Sequence, residues 1–344
     1  MTQLSSIQSF GDLRRVLLEM PGPDVESGEA ARLREPTLTK PPGSLGRLEE
    51  LSLWLSEWQG HHPPRMSTPR ALVFAGNHGI TDQGVSAYPA EVTAQMVGNF
   101  EAGGAAVNQL CRTFGVELSV EPMSLDRPVA DFSESPAMSE DECLDAILFG
   151  MGAVTENTDV LCLGEMGIGN TTSAAALCHA TFGGESADWT GPGTGVVGDA
   201  LEHKTRVVAD AVHHHKDSIG DGLDALRHFG GRELAAIAGA TLAARFRRVP
   251  VLLDGYVSGA AAAVLEAVQA GTLDHCQVAH VSAEPGHRRL LEAIGKVPVL
   301  DLNMRLGEAS GAVLAVALLR AAAHCHAGMA TFADAGVADK EDAD

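Results

Sequence analysis

An α/β fold, with a mainly parallel sheet covered by helices on both faces, is predicted by two features of the sequence. Short apolar runs recur at 71–75, 116–120, 160–163, 249–253, 278–281 and 297–300, each followed by Gly, Ser, Asp or Glu and then by helical spacing. Hydrophobic residues make up 45% of the 344 positions but aromatics only 4%, so Ala, Val, Leu and Ile must fill the interior, with 38 glycines allowing close backbone approach. A chain of this length implies one large domain carrying a smaller one, or two comparable domains.

Residues 1–60 read as helical. Leu13, Val16 and Leu17 share one stripe, and Leu45, Leu48, Leu51 and Leu55 share another. The turn Lys40-Pro41-Pro42-Gly43-Ser44 separates the two stripes. The run at 71–75 is the first buried strand and leads straight into Gly76-Asn77-His78-Gly79, the kind of strand-to-turn junction where α/β proteins place their chemistry. Residues 122–142 are acidic and rich in Pro, Ser and Asp, which predicts an exposed connection, and the small, charged tail after Phe332 is expected to fray.

A formal net charge of -21 argues against nucleic acid or anionic lipid as partners, since both need clustered Lys and Arg, and an anionic substrate would need a local exception. Residues 1–15 lack the basic start and apolar run of a signal peptide, and apolar stretches such as 311–319 are shorter than a membrane span, so a cytoplasmic protein is expected. The six cysteines are scattered singly, without the close pairs of a zinc or redox site, and read as reduced and structural. His213, His214 and His215 are consecutive and point in different directions from a helix, so no metal site is assigned to them.

Four junctions place glycine beside a carboxylate or hydroxyl: residues 164–172, 191–195, 282–287 and 305–311. In a doubly wound sheet the loops at the carboxyl ends of the strands converge on one crevice, so these four could line a single site. Residues 167–172 open a helical run, where backbone N–H groups bind phosphate without a basic side chain; they also suit a simple tight strand-to-helix turn. Residues 191–195 and Lys204 offer a second cradle and a positive charge. Glu308 precedes a long Ala, Val and Leu helix, where it is either a base poised by burial or an acidic residue complementing the helix dipole. His78 reads as functional or as a satisfied structural histidine, and Ser282 could be a nucleophile only if His287 or another base reached it.

Taken together, residues 40–49, His78-Gly79, 164–172, Leu253-Asp254-Gly255, Ser282-Ala283-Glu284 and 304–311 closely resemble the nicotinate-nucleotide:dimethylbenzimidazole phosphoribosyltransferase family over nearly the whole chain. The resemblance implies a Rossmann-like large domain (66–311), a small helical domain from both chain ends (1–65 and about 312–344) and a homodimer. It implies transfer of the phosphoribosyl group of nicotinate mononucleotide to 5,6-dimethylbenzimidazole, with neither metal nor organic cofactor. Glu308 stands at the glutamate of the family's Arg-Leu-Gly-Glu motif and is thereby the proton acceptor. Glu165, Gly167, Gly193, Lys204 and Ser282 match positions near the nucleotide and its phosphate, with His78 and Leu306 also on the substrate. Tyr88, Gln95 and Met96, with Val85, Ser86 and Ala87, fall where relatives contact the aromatic base. Tyr88 stands where some relatives carry a small hydroxyl residue, which leaves the preferred base open.

Two rival readings compete with this one. A dinucleotide-dependent dehydrogenase needs a glycine-spaced turn after the first strand, which Gly76-Asn77-His78-Gly79 lacks. A non-catalytic nucleotide or corrinoid sensor would have no need of Glu308.

Overall fold

The computed structural model describes residue 4 and residues 7–338. The N-terminal region forms three helices, α1 (Phe10–Leu18), α2 (Val25–Arg34) and α3 (Arg47–Gln59), rather than two continuous stripes. Side-chain oxygens of Ser9 and Asp24 cap the first two, and Gly60 ends the third in the left-handed conformation. Strand β1 (Pro69–Ala75) follows, then α4 (Val92–Glu101), α5 (Ala106–Phe114) and β2 (Glu117–Pro122). Next come α6 (Glu140–Ala153), β3 (Val160–Met166), α7 (Asn170–Phe182), α8 (Ser186–Trp189), α9 (Asp199–His215), α10 (Gly222–Phe229) and α11 (Arg232–Phe246). The chain closes with β4 (Val251–Leu253), α12 (Tyr256–Val268), β5 (Cys276–Val278), α13 (Pro285–Ala293), α14 (Ser310–Gly328) and α15 (Phe332–Ala335).

The five strands form one parallel sheet in the order β2-β1-β3-β4-β5, a doubly wound arrangement. Side chains alternate between two cores. Leu72, Phe74, Leu161, Leu163, Val251 and Leu253 face the core built with α6, α7 and α10–α12, into which α1 also inserts Phe10, Leu13 and Leu17. Ala71, Val73, Val160, Cys162 and Leu252 face the core built with α3, α5 and α14. The sheet is therefore covered on both faces, as expected. Close helix packing uses glycine in place of aromatic bulk: a Cβ on Gly150 would lie 1.9 Å from Ala236 O, and one on Gly239 would lie 1.9 Å from Ile147 O, so α6 and α11 touch backbone to backbone.

Three expectations are corrected. The run at 297–300 is not a strand but an isolated bridge between His280 and Leu300, because Pro298 cannot donate to a ladder. The 122–142 segment is not simply exposed: Met123, Val129, Phe132, Ala137 and Met138 are buried, and Val129 pairs with His78. Helix α14 is 19 residues long and passes, by length and composition, as a possible membrane span, longer than the 311–319 run suggested. Here it is a core helix, with Ala312, Val313, Val316 and Leu319 packed against α3, α5 and the sheet. Of the tail, Thr331 caps α15; residues 339–344, where fraying was expected, lie outside the described residues.

Gly150→Ala and Gly239→Ala should each lower unfolding free energy by about 1–3 kcal/mol through overpacking against backbone, read from the urea midpoint at unchanged slope.

Candidate active site

Because the strands are parallel, their carboxyl ends share one side of the sheet, and a cavity of about 480 Å³ opens there. Its wall comes from the end of β3 (Glu165, Gly167), the start of α7 (Asn170, Thr171), the turn after β4 (Gly255, Tyr256), the loop after β5 (His280, Ser282, Glu284) and Arg305–Glu308 before α14. Tyr88, Val92 and Met96 face it from α4 and its approach, and Gly193 and Thr194 from the 191–195 loop. All four glycine-bearing junctions thus meet in one place.

One half of the cavity is acidic. Glu308 is 5% exposed and, with Ala309, occupies the left-handed region at φ 62 and 60. Two successive non-glycine residues there cost on the order of 1–3 kcal/mol each unless their surroundings hold them. The turn is seated on β3: Glu308 N–H donates to Glu165 O at 3.1 Å, and a Cβ on Gly164 would lie 2.1 Å from Ala309 N. Glu308 Oε2 has no hydrogen-bond partner among the described residues. Burial, then the charge of Asp254, pushes the Glu308 carboxyl up to about 7. Burial and Asp254 also push Glu165 up to about 8, against the hydrogen bond from Asn170 Nδ2.

The other half is cationic, the local exception in an acidic chain. Lys204, 1% exposed, donates from Nζ to Thr171 Oγ1 and to Gly191 O, both at 2.9 Å. Burial lowers its ammonium to about 8, against the charge of Glu284. Arg305 Nη1 donates to Gly193 O at 2.9 Å, while Gly193 N–H donates to Glu284 Oε1 at 2.9 Å. Gly193 has φ 52, and a Cβ there would meet Thr171 Oγ1 at 2.4 Å and Lys204 Nζ at 2.9 Å. The 13-residue helix α7 starts here with Gly169 as its N-cap at φ 95, so its N-terminal dipole adds to these cations. The 191–195 loop is tied to the segment leading to Tyr88: Thr194 Oγ1 lies 2.9 Å from Ser86 Oγ and accepts from Ala87 N–H at 3.1 Å.

Of the residues picked out by sequence, Glu308, Glu165, Gly167, Gly193, Ser282, Tyr88, Met96 and Leu306 line the cavity. Lys204 sits directly behind Gly193. Gln95, exposed on α4, is not on the wall although its neighbour Met96 is. Nor is His78, which is 1% exposed: its Nε2 meets Glu233 Oε1 at 2.5 Å and its Nδ1 meets Ser173 Oγ at 3.0 Å, a buried strut joining the β1 turn to α7 and α11. Ser282 is no nucleophile, since His287 Nδ1 accepts the Ser282 backbone N–H at 2.7 Å and leaves the hydroxyl to accept from Glu284 N–H. His215 turns inward to Phe132 O, while His213 and His214 are exposed. Glu284, Arg305 and Asp254 stood inside the quoted motifs without a role. His280, just beyond a short strand, carried only the signal of a titratable residue at a strand end.

A doubly wound sheet with an anion cradle facing an unpartnered carboxylate across one cavity is the architecture of a sugar-phosphate transferase, and a family model described as a phosphoribosyltransferase matches residues 20–337. The nicotinate-nucleotide-dimethylbenzimidazole phosphoribosyltransferase of Rhizobium etli is 55% identical over 331 residues, covering 96% of this chain and 98% of the relative. That of Rhizobium meliloti is 54% identical over 332 residues, with the same coverage. The crystal structure of CobT from Thermus thermophilus superposes with a TM-score of 0.85 at 40% identity, covering 91% of this chain and 99% of that one. The chain belongs to the nicotinate-nucleotide-dimethylbenzimidazole phosphoribosyltransferase family.

Glu165 titrates higher folded than unfolded, so its favourable contribution is complete below 4.5 and is lost as pH rises through about 8. Glu165→Gln should therefore raise the melting temperature relative to wild type at about pH 9 and change it little at about pH 5, followed by calorimetry at both.

Proposed function

We propose that this enzyme transfers the 5-phosphoribosyl group of nicotinate mononucleotide to 5,6-dimethylbenzimidazole, in assembly of the lower nucleotide loop of cobalamin, with Glu308 as the base. The nucleotide's C1′–N bond breaks and nicotinate leaves with the bonding pair, discharging its pyridinium nitrogen. A benzimidazole nitrogen bonds C1′ from the opposite face, inverting the β-nucleotide to α-ribazole 5′-phosphate, and the proton of the other ring nitrogen passes to Glu308. Positive charge on the ribosyl centre is met by the carboxylates of the acidic half. The phosphate sits against Lys204, Arg305 and the start of α7. The observation that carries the reading is the Glu308 carboxylate: enclosed, one oxygen free, and ionising near neutrality. A sensor would have no use for such a group in a strained turn.

The same proposal includes a cytoplasmic homodimer. Tyr88 and Leu306 line the cavity yet each stays 55% exposed, apolar surface that a second copy would cover. It also includes a small helical unit from both chain ends. Lys40, nearly buried, pairs with Glu35 and Glu49 at 2.8 Å, and Arg34 Nε donates to His326 O at 2.9 Å, joining the α2–α3 region to α14. Sequence and site leave open a related aromatic base as acceptor, because one methyl group in an apolar pocket is worth only about 1–3 kcal/mol.

Nicotinate release and α-ribazole phosphate formation, followed by chromatography and mass, should fall by on the order of 10² to 10⁴ in Glu308→Gln while nucleotide binding persists. Full activity in the variant would remove Glu308 as the base. Lys204→Met should raise KM for the nucleotide roughly 10- to 100-fold, the loss of a charged hydrogen-bond donor, in steady-state kinetics.

A further inference from the structure

Asp254 stands one residue past β4 and is 1% exposed. Its backbone N–H donates to Leu163 O on β3 at 3.1 Å, so two strands fix its position. Its side chain reaches across to α14, where Oδ1 accepts the Ala312 N–H at 2.9 Å. That N–H is one of the first donors of the helix, which has no partner within the helix, and it lies three residues past the left-handed Ala309. A conformation of that kind persists only where neighbours over-determine it, and a carboxylate held by the adjacent strand does so.

Among the described residues this carboxylate has no lysine or arginine partner. His280 Nε2 is 3.7 Å from Oδ1, beyond hydrogen-bonding distance, its Nδ1 lies 3.1 Å from Val281 O, and burial disfavours a second proton on the ring. Oδ2 has no hydrogen-bond partner among the described residues. The titratable groups facing Asp254 are Glu308 before α14, Glu165 and Cys162 on β3, and His280 after β5, with His287 beyond it. Glycine shapes this packing, since a Cβ on Gly311 would lie 2.0 Å from the His280 ring.

We propose that Asp254 is a positioning residue for the transfer reaction: through the start of α14 it holds the strained turn that presents Glu308, and, as a carboxylate without a lysine or arginine partner behind that turn, it opposes a second negative charge on Glu308. The two roles are separable by chemistry. Asp254→Asn keeps an oxygen for the Ala312 N–H and removes the charge. Asp254→Glu keeps the charge and displaces the oxygen by one methylene.

The inference rests on Glu308 as the base, so Glu308→Gln is measured alongside. The readouts are the pH dependence of kcat/KM for dimethylbenzimidazole at saturating nucleotide, which reports the nucleotide-bound enzyme and the free base, compared with wild type on the same base, and the thermal midpoint. Asp254→Asn should move the acid limb to lower pH by roughly one unit with the midpoint near wild type. Asp254→Glu should leave the limb in place and lower both kcat and the midpoint. An acid limb in Asp254→Asn that coincides with wild type, while Glu308→Gln is inactive, overturns the role of Asp254 and spares the base. Turnover retained in Glu308→Gln overturns the base and this inference with it. Failure of Asp254→Asn to fold where Asp254→Glu folds also overturns it, because the amide retains the acceptor.

Discussion

The site depends on one steric fit, the turn before α14 resting on the end of β3. Gly164 leaves no space for a side chain beneath Ala309, and a Cβ on Gly307 would lie 2.5 Å from Glu165 Oε1. With those two glycines the strand and the helix start come within backbone contact, and Glu308 is carried over the cavity on a rigid platform. Rigidity comes from the sheet beneath, since β3 pairs in parallel with β1 on one side and β4 on the other.

The close fit fixes the electrostatics. Glu165, Asp254 and Glu308 are brought together without a lysine or arginine partner among the described residues, so burial keeps their protons on to higher pH than free carboxyls would, and the charge of Asp254 adds to the effect on Glu165 and Glu308. Across the cavity Lys204 and Arg305 answer Glu284, and the polar groups of the 191–195 loop are satisfied by them. A chain of net charge -21 thus places one buried lysine and one exposed arginine on either side of the 191–195 loop.

Much of this was legible in the sequence. The first, third and fourth apolar runs became β1, β3 and β4 because Val, Leu and Ala flanked by glycine turns leave little choice in a parallel sheet. Glu308, Glu165 and Gly193 were found because their neighbouring glycines mark places where backbone must approach closely. What failed was long-range. His78 resembles a cavity residue until Glu233, far along the chain, takes its Nε2. Pro298 ended a strand that hydrophobicity alone supported, and nothing in residues 122–142 announced that Phe132 would meet Phe229 edge to face. Asp254 gained a role only through Ala312, whose N–H no local pattern directs to it.

Thr194 gives the cavity a property of its own. Its hydroxyl is shared by Ser86 and Ala87, so the loop beside the cationic cradle and the loop leading to Tyr88 are one hydrogen-bonded unit. A shift of either loop strains the bonds to the other, so the wall beside the cationic cradle and the approach to Tyr88 keep one fixed spacing.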